Sequence, residues 1–232
     1  RLIYAGVAHL QPGHAPRLVI DIGGRSTEMI LCQGREPRVA ESFAVGSVSL
    51  SMRHFPDGRL TAAGFREAQI AAGAELEEAL EPFARRHWQE ALGASGTVGA
   101  VSQLLAASGI DDGVITPAGL RRLIDRCLRA GHIDRLDLPG LKEERRAVIA
   151  GGLALLYTLA AHFGIEALLP ARGALRARWT SPRSFALAVG GLHHGFTPPA
   201  GFPALERLAL SLTTGDNPRL TCDAYFALTS NT

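Results

Sequence analysis

The sequence predicts an α/β domain followed by a stretch of different texture. Three observations carry that expectation. The apolar, β-branched run Leu18-Val19-Ile20 meets a glycine turn and then a second apolar run; a period of three and four takes over from Thr61; and short extended runs then alternate with helical ones. With 232 residues, 47% of them hydrophobic and 20% charged, the chain can bury one good-sized core and has the composition of a folded domain.

Leu18–Ile20 and Met29–Cys32 flank the segment Asp21 to Glu28, which reads as strand, tight turn, strand. Arg38 to Leu50 is expected to add a third extended stretch and complete a meander. From Thr61, whose hydroxyl can cap a helix, Phe65, Ala68, Ala72, Leu76, Leu80 and Phe83 recur at helical spacing and predict one long amphipathic helix. Glu90–Leu92 leads through Gly93-Ala94-Ser95-Gly96-Thr97 into a helix over Val98 to Ala107, ended by Gly109. Thr116-Pro117 opens another helix, since proline at the first helical position loses no hydrogen bond, and Leu120, Leu123, Ile124, Cys127 and Leu128 form its buried stripe. A helix from Glu143 to Phe163 is charged at its start and apolar from Val148 onward, so its later turns are expected to be buried on most sides. Ala167–Leu169 reads as a short strand before a turn at Gly173. Beyond Arg176, Pro182, Pro198, Pro199, Pro203 and Pro218 crowd the chain; only Leu205 to Leu212 has helical character there, and a loosely packed tail is expected.

Composition narrows the function classes. The formal net charge is +2, which argues against a surface built to hold a nucleic-acid backbone. Lys142 is the single lysine, so the positive charge is almost all arginine; a guanidinium suits phosphate oxygens, though coding bias gives the same excess. Cys32, Cys127 and Cys222 are odd in number and lack a Cys-x-x-Cys pair, which suggests neither a disulfide framework nor a zinc site and fits a reducing, cytoplasmic setting. His193-His194 with Cys222 lacks ligand spacing. Trp88 and Trp179 read as packing or surface groups, with no basic and aromatic interleaving around them. No run reaches the length of a membrane span. The chain opens at Arg1 inside an apolar run, which is expected of a piece of a longer protein.

The strongest chemical signal is Asp21-Ile22-Gly23-Gly24-Arg25-Ser26-Thr27-Glu28. An aspartate at a strand end can hold a hydrated divalent cation, and Glu28 puts a second carboxylate nearby. Gly23 and Gly24 are expected to adopt positive φ and turn their N–H groups toward an anion, while Ser26 and Thr27 add hydroxyl donors. A plain glycine hairpin with solvated acids is the competing reading. A Walker A loop and a dinucleotide fingerprint are both excluded, because the Lys-Ser/Thr and the Gly-x-Gly-x-x-Gly patterns are missing. Gly93-Ala94-Ser95-Gly96-Thr97 places amides at a helix N-terminus, a second phosphate cradle or a small-residue turn that lets strand and helix pack closely.

Taken with these motifs, Arg1-Leu2-Ile3-Tyr4-x-Gly6-Val7, Gly46-Ser47-Val48, Leu138-Pro139-Gly140-Leu141-x-Glu143-Glu144-Arg145-Arg146 and Gly173-Ala174-Leu175-Arg176 closely resemble the Ppx/GppA phosphatases, in the family's order from Arg1 to Arg176. The resemblance implies an RNase H-like domain of the actin/sugar-kinase/heat-shock ATPase superfamily, a mixed sheet with flanking helices. Residues 1–176 would be the second actin-like domain of the core, the first being absent, and 177–232 an out-of-family tail. It implies Mg²⁺-dependent hydrolysis of terminal phosphoanhydride bonds of inorganic polyphosphate, with guanosine pentaphosphate 5′-phosphohydrolysis as an alternative; departures from the family pattern motivate a non-hydrolytic nucleotide- or phosphate-binding regulatory module as another. Asp21 and Glu28 would bind metal or position water; Gly23, Gly24, Ser26, Thr27, Ser95, Gly96 and Thr97 would hold phosphate. Polyphosphate or guanosine pentaphosphate is the implied partner molecule, a homodimer a candidate assembly, and nucleic acid and a membrane span are excluded.

Three departures stand out. The family's catalytic-base glutamate would lie two residues before Arg1, so residues 1–232 alone are expected to be inactive. Arg25 stands at the family's third glycine, where it is either tolerated or reaches a phosphate. Arg172 replaces an aspartate before Gly-Ala-Leu-Arg, and the family pattern ends after Arg176. Glu143-Glu144-Arg145-Arg146 reads as a solvated first helical turn.

Overall fold

The computed structural model describes residues 15–34 and 36–171, and beyond them the backbone of five strands between Ala174 and Thr229. These residues fall into two compact units, one ending at Ala171 and one containing the later strands.

In the first unit, β1 (Pro16–Ile22) and β2 (Thr27–Gln33) form an antiparallel hairpin with Asp21 opposite Glu28 and Ile22 opposite Thr27. β3 (Glu36–Phe43) pairs antiparallel with β2, with a register shift at Leu31/Cys32. On the other side of β1 lie β4 (Glu90–Gly93) and then β5 (Leu168–Pro170), both parallel, giving the order β3-β2-β1-β4-β5. Leu18, Ile20 and Ile22 on one face of β1 belong to the main core, and Val19 on the other face is fully buried as well. A strand covered on both faces shows a continuous apolar run, which is why Leu18–Ile20 does not alternate.

Among the described residues, six helices accompany the sheet: α1 (Ser47–His54), α2 (Ala62–Glu75), α3 (Gly96–Ala107), α4 (Pro117–Ala130), the single turn α5 (Glu143–Arg146) and α6 (Ile149–Phe163). The caps read from sequence at Thr61 and Thr116 are present, and Ser95 caps α3 as well; each accepts a hydrogen bond from the N–H three residues on. The expected stripe on α4 is buried at Leu120, Leu123, Ile124 and Cys127, with Leu128 half-buried. α6 is buried along nearly its whole length and packs on α1, α2 and α4. Its Gly151 N–H donates to Ser51 Oγ at 3.0 Å, and a Cβ there would stand 2.4 Å from the Ser47 carbonyl oxygen. Glycine is what lets α6 touch α1.

Four expectations change. The third extended stretch stops at Phe43, and Ser47 to Leu50 is helical, because Gly46 N–H and the Ser49 hydroxyl bond each other across the first turn of α1. The long helix from Thr61 ends at Glu75; the chain then turns through short 3₁₀ turns that still bury Leu76, Ala79 and Phe83 but leave Leu80 40% exposed, and Pro82 disfavours helix at Glu81. The helix from Glu143 breaks between Arg146 and Ile149. Arg146 is tied to the carbonyls of Ile133 and Leu136 at 3.1 and 2.7 Å while Gly151 is tied to α1, so the two segments answer to different partners. Leu208–Ser211, expected to be helical, is a strand.

The second unit contains β6 (Ala174–Arg178), β7 (Ser184–Val189) and β10 (Phe226–Thr229) in one antiparallel sheet of order β10-β7-β6, and β8 (Leu208–Ser211) paired antiparallel with β9 (Thr221–Ala224). Arg1–Val7, Arg172, Gly173, Trp179, His193, His194 and the Cys222 side chain lie outside the described residues. Trp88 is a packing group, its Nε1–H donating to the Phe83 carbonyl at 3.0 Å and its ring covered by Arg85.

Candidate phosphate and metal site

The two motif turns meet at the carboxyl ends of β1 and β4. β1 sends its connection into the hairpin on one side and β4 sends its connection into α3 on the other, the arrangement in which an open α/β sheet leaves a crevice between loops. The Ala94 N–H extends the β1–β4 pairing to the Ile20 carbonyl at 2.8 Å. The Thr97 hydroxyl lies 3.2 Å from both the Ile22 carbonyl and the Ser47 hydroxyl, and Ser47 in turn donates to the Gly23 carbonyl at 3.3 Å. A chain of hydroxyls thus fixes the second turn against the first.

α1 sets the orientation of the first loop. The start of a helix carries N–H groups with no partner inside the helix, and here Ser47 N–H donates to the Gly23 carbonyl at 3.0 Å while Val48 and Ser49 N–H donate to the Gly24 carbonyl at 2.9 and 3.0 Å. Across a trans peptide the carbonyl and the following N–H point opposite ways. With both carbonyls aimed at α1, the N–H groups of Gly24 and Arg25 aim away from it, and neither has a partner among the described residues. The Gly23 N–H instead closes the loop on the Ser26 carbonyl at 2.9 Å, so Gly23 shapes the turn and offers no free amide.

Gly23 and Gly24 do not have positive φ, contrary to expectation. Close approach is the constraint: a Cβ on Gly24 would stand 3.1 Å from Val48 Cγ2, and one on Gly46 only 2.4 Å from the Gly24 carbonyl carbon. Arg25 is also free of positive φ, so an arginine sits at this exposed tip without backbone strain.

Asp21 and Glu28 are direct cross-strand partners and project from the same face of the hairpin. Glu28 Oε1 accepts from Ser26 Oγ at 2.7 Å and Ser42 Oγ at 2.9 Å. The Asp21 carboxylate has no hydrogen bond or ion pair among the described residues. Burial, and then the nearby Glu28 charge, push its carboxyl up to about 6. The paired carboxylates of Asp21 and Glu28 beside outward-facing amides form a donor set that fits Mg²⁺, which takes one or two carboxylates and leaves its other positions to water and phosphate.

In the second turn Ser95 Oγ accepts from Val98 N–H at 3.1 Å, which leaves the N–H groups of Gly96 and Thr97 without partners among the described residues. Arg145 comes to the same place: a Cβ on Gly96 would lie 2.7 Å from its Nη2. Arg145 is half-buried and has no anionic partner among the described residues, so a cation and a positive helix end stand side by side. Their repulsion is relieved by an anion.

Not every expected site residue faces the crevice. Thr27 is fully buried and donates to the Val45 carbonyl at 2.6 Å, so it braces the hairpin from inside. The Ser26 hydroxyl hydrogen goes to Glu28, and the Thr97 hydroxyl to the ties described above. Arg145 and Gly46 were absent from the expected site. Arg145 reads as part of a solvated helical turn because its contact with Gly96 is remote in sequence; Gly46, followed by three small or β-branched residues, reads as part of the extended stretch Arg38 to Leu50 when it is a helix cap.

The model of the Ppx/GppA phosphatase family matches residues 1–177. The chain belongs to the Ppx/GppA phosphatase family. A relative from Vibrio cholerae serotype O1 named guanosine-5′-triphosphate,3′-diphosphate pyrophosphatase is 42% identical over 174 residues, which cover 75% of this chain and 35% of the relative. The chain therefore spans about a third of the length of the curated relatives it matches. Among solved structures, a Ppx/GppA enzyme of Aquifex aeolicus superposes with a TM-score of 0.61 at 19% identity, covering 72% of this chain and 57% of that one. An exopolyphosphatase from Cytophaga hutchinsonii does so with a TM-score of 0.62 at 19% identity, covering 73% and 57%. The fold of this Ppx/GppA chain is accordingly α/β, with a mixed five-stranded sheet and flanking helices consistent with the actin-like ATPase architecture. Residues 167–232 match the model of a family of unknown function, DUF6603. Among the described residues no helix is long and apolar enough to cross a membrane.

Proposed function

We propose that this chain carries the metal- and phosphate-holding half of a phosphoanhydride hydrolase acting on terminal phosphates of a polyanionic substrate, and that residues 1–176 act as one of two domains closing on it. The observation that carries this reading is the pair of amides at Gly24 and Arg25, turned away from α1 by Ser47, Val48 and Ser49, beside an unpartnered Asp21 and across from the free amides of α3 and Arg145. Phosphoryl transfer needs positioning and charge neutralisation more than covalent chemistry. Fixed N–H dipoles and the Arg145 guanidinium supply both to phosphate oxygens, while Asp21 and Glu28 hold Mg²⁺, whose chemistry would be to neutralise charge on the phosphate oxygens. The Glu28 carboxylate, oriented by Ser26 and Ser42, is set to hold a water or a metal ligand in a fixed direction.

Two substrates compete. Inorganic polyphosphate fits a site whose named groups, amides, an arginine and two carboxylates, suit phosphate and metal alone, and the name of the Vibrio cholerae relative favours guanosine pentaphosphate. The test joins the upstream portion of that relative ahead of Arg1 and measures Mg²⁺-dependent orthophosphate release from each. Release from polyphosphate supports the first substrate and release confined to guanosine pentaphosphate the second. Binding without release from either leaves a regulatory module, and neither binding nor release contradicts the proposal.

A further inference from the structure

Arg25 stands exposed at the tip of the β1–β2 loop and forms no hydrogen bond or ion pair among the described residues. Two carboxylates lie within four residues of it, yet neither holds it: Glu28 is occupied by Ser26 and Ser42, and Asp21 is left without a partner. A cation that bypasses two nearby acids is directed elsewhere. Its own N–H is one of the two amides aimed away from α1, and its backbone is unstrained, so the residue is accommodated at no conformational cost. The guanidinium sits at the end of a long stem, well beyond the backbone, and offers a planar fork of donors that matches phosphate oxygens. The stem lets that fork extend past an anion seated on the loop amides. The next anionic group along a chain lies within its reach.

We propose that Arg25 is a further binding residue, gripping a second phosphoryl group of a chain-like phosphate ligand whose first group is seated on the amides of Gly24 and Arg25. The proposal rests on the reading of this loop as a phosphate site and deepens it: Arg25 makes the site selective for phosphate chains over single phosphates. In the family resemblance this position is usually glycine, so the Arg25 contact is a property of this chain.

The test titrates orthophosphate and tripolyphosphate, each with Mg²⁺, into the full 232-residue chain by calorimetry, using the unaltered protein, Arg25→Gln and Arg25→Lys. Arg25→Gln is expected to weaken tripolyphosphate about tenfold, the loss of one charge-assisted contact, while orthophosphate affinity stays within about twofold. Arg25→Lys is expected to recover part of the tripolyphosphate affinity. Unchanged tripolyphosphate binding, or equal weakening of both ligands, overturns the proposal and leaves the loop reading standing. If the unaltered chain binds neither ligand, the loop reading fails and the role of Arg25 fails with it. Thermal melting of the variants, expected to match the unaltered chain because Arg25 is exposed, separates binding effects from misfolding.

Discussion

Replacing Asp21 with asparagine is expected to stabilise the free chain at neutral pH while removing its metal-dependent phosphate binding. The carboxyl of Asp21 is raised from 3.8 to about 6 by burial and by Glu28. The folded state therefore holds this proton more tightly than the unfolded state does. Below pH ~4 both states are protonated and stability is at its fullest; as pH climbs from ~4 through ~6 the unfolded state ionises first, and stability falls to a lower plateau. A shift of roughly two units corresponds to about 3 kcal/mol. Asp21 is only half-buried, and solvent screening trims this to about 1–2 kcal/mol. Asp21→Asn cannot ionise, so its urea-unfolding free energy lacks this decline and exceeds that of the unaltered chain by about 1–2 kcal/mol at pH 7. Mg²⁺ is expected to raise the stability of the unaltered chain at pH 7 and to leave the variant unmoved. An asparagine variant equal to or less stable than the parent at pH 7, with the same decline between pH 4 and 6, would refute the reasoning.

Two further substitutions probe the supports of the loop. Gly46→Ala puts a Cβ 2.4 Å from the Gly24 carbonyl carbon and 2.5 Å from the Arg25 nitrogen. Relief needs a loop shift of about 1 Å that breaks amide contacts from α1, at about 2–4 kcal/mol, or a Tm lowered by about 5–15 °C; an unchanged melt would contradict the packing described. Arg145→Gln removes a cation that has no partner among the described residues. Stability is expected to stay within about 0.5 kcal/mol while phosphate affinity drops about tenfold, both measurable on one sample by melting and calorimetry; a destabilised variant with unaltered affinity would instead mark Arg145 as a packing residue.

The sequence displays most plainly what is local. The hairpin around Asp21 to Glu28, the hydroxyl caps at Thr61 and Thr116, and the stripe on α4 each depend on neighbours within a few residues, and each is where the pattern puts it. What the pattern misses depends on remote contacts. Gly24 is needed for its approach to Val48, twenty-four positions on, and not for left-handed backbone. Thr27 turns inward because the Val45 carbonyl waits there, and Arg145 reaches Gly96 through the packing of α5 near α3. Leu80 keeps the helical spacing but not the helix, since the chain turns after Glu75. In the candidate site the acids and small residues were legible; which of their donors remain free was not, because that is decided by α1, whose start resembled a strand.

A titration of the ¹⁵N-labelled chain with tripolyphosphate and Mg²⁺, followed by amide NMR, bears most directly on whether the two turns together hold phosphate. The expected result is that the N–H signals of Gly24, Arg25, Gly96 and Thr97 move together and saturate at one ligand concentration, while that of Gly23, already bonded to Ser26, moves little. Ligand binding that leaves these four amides still, or shifts confined to one turn, would contradict it.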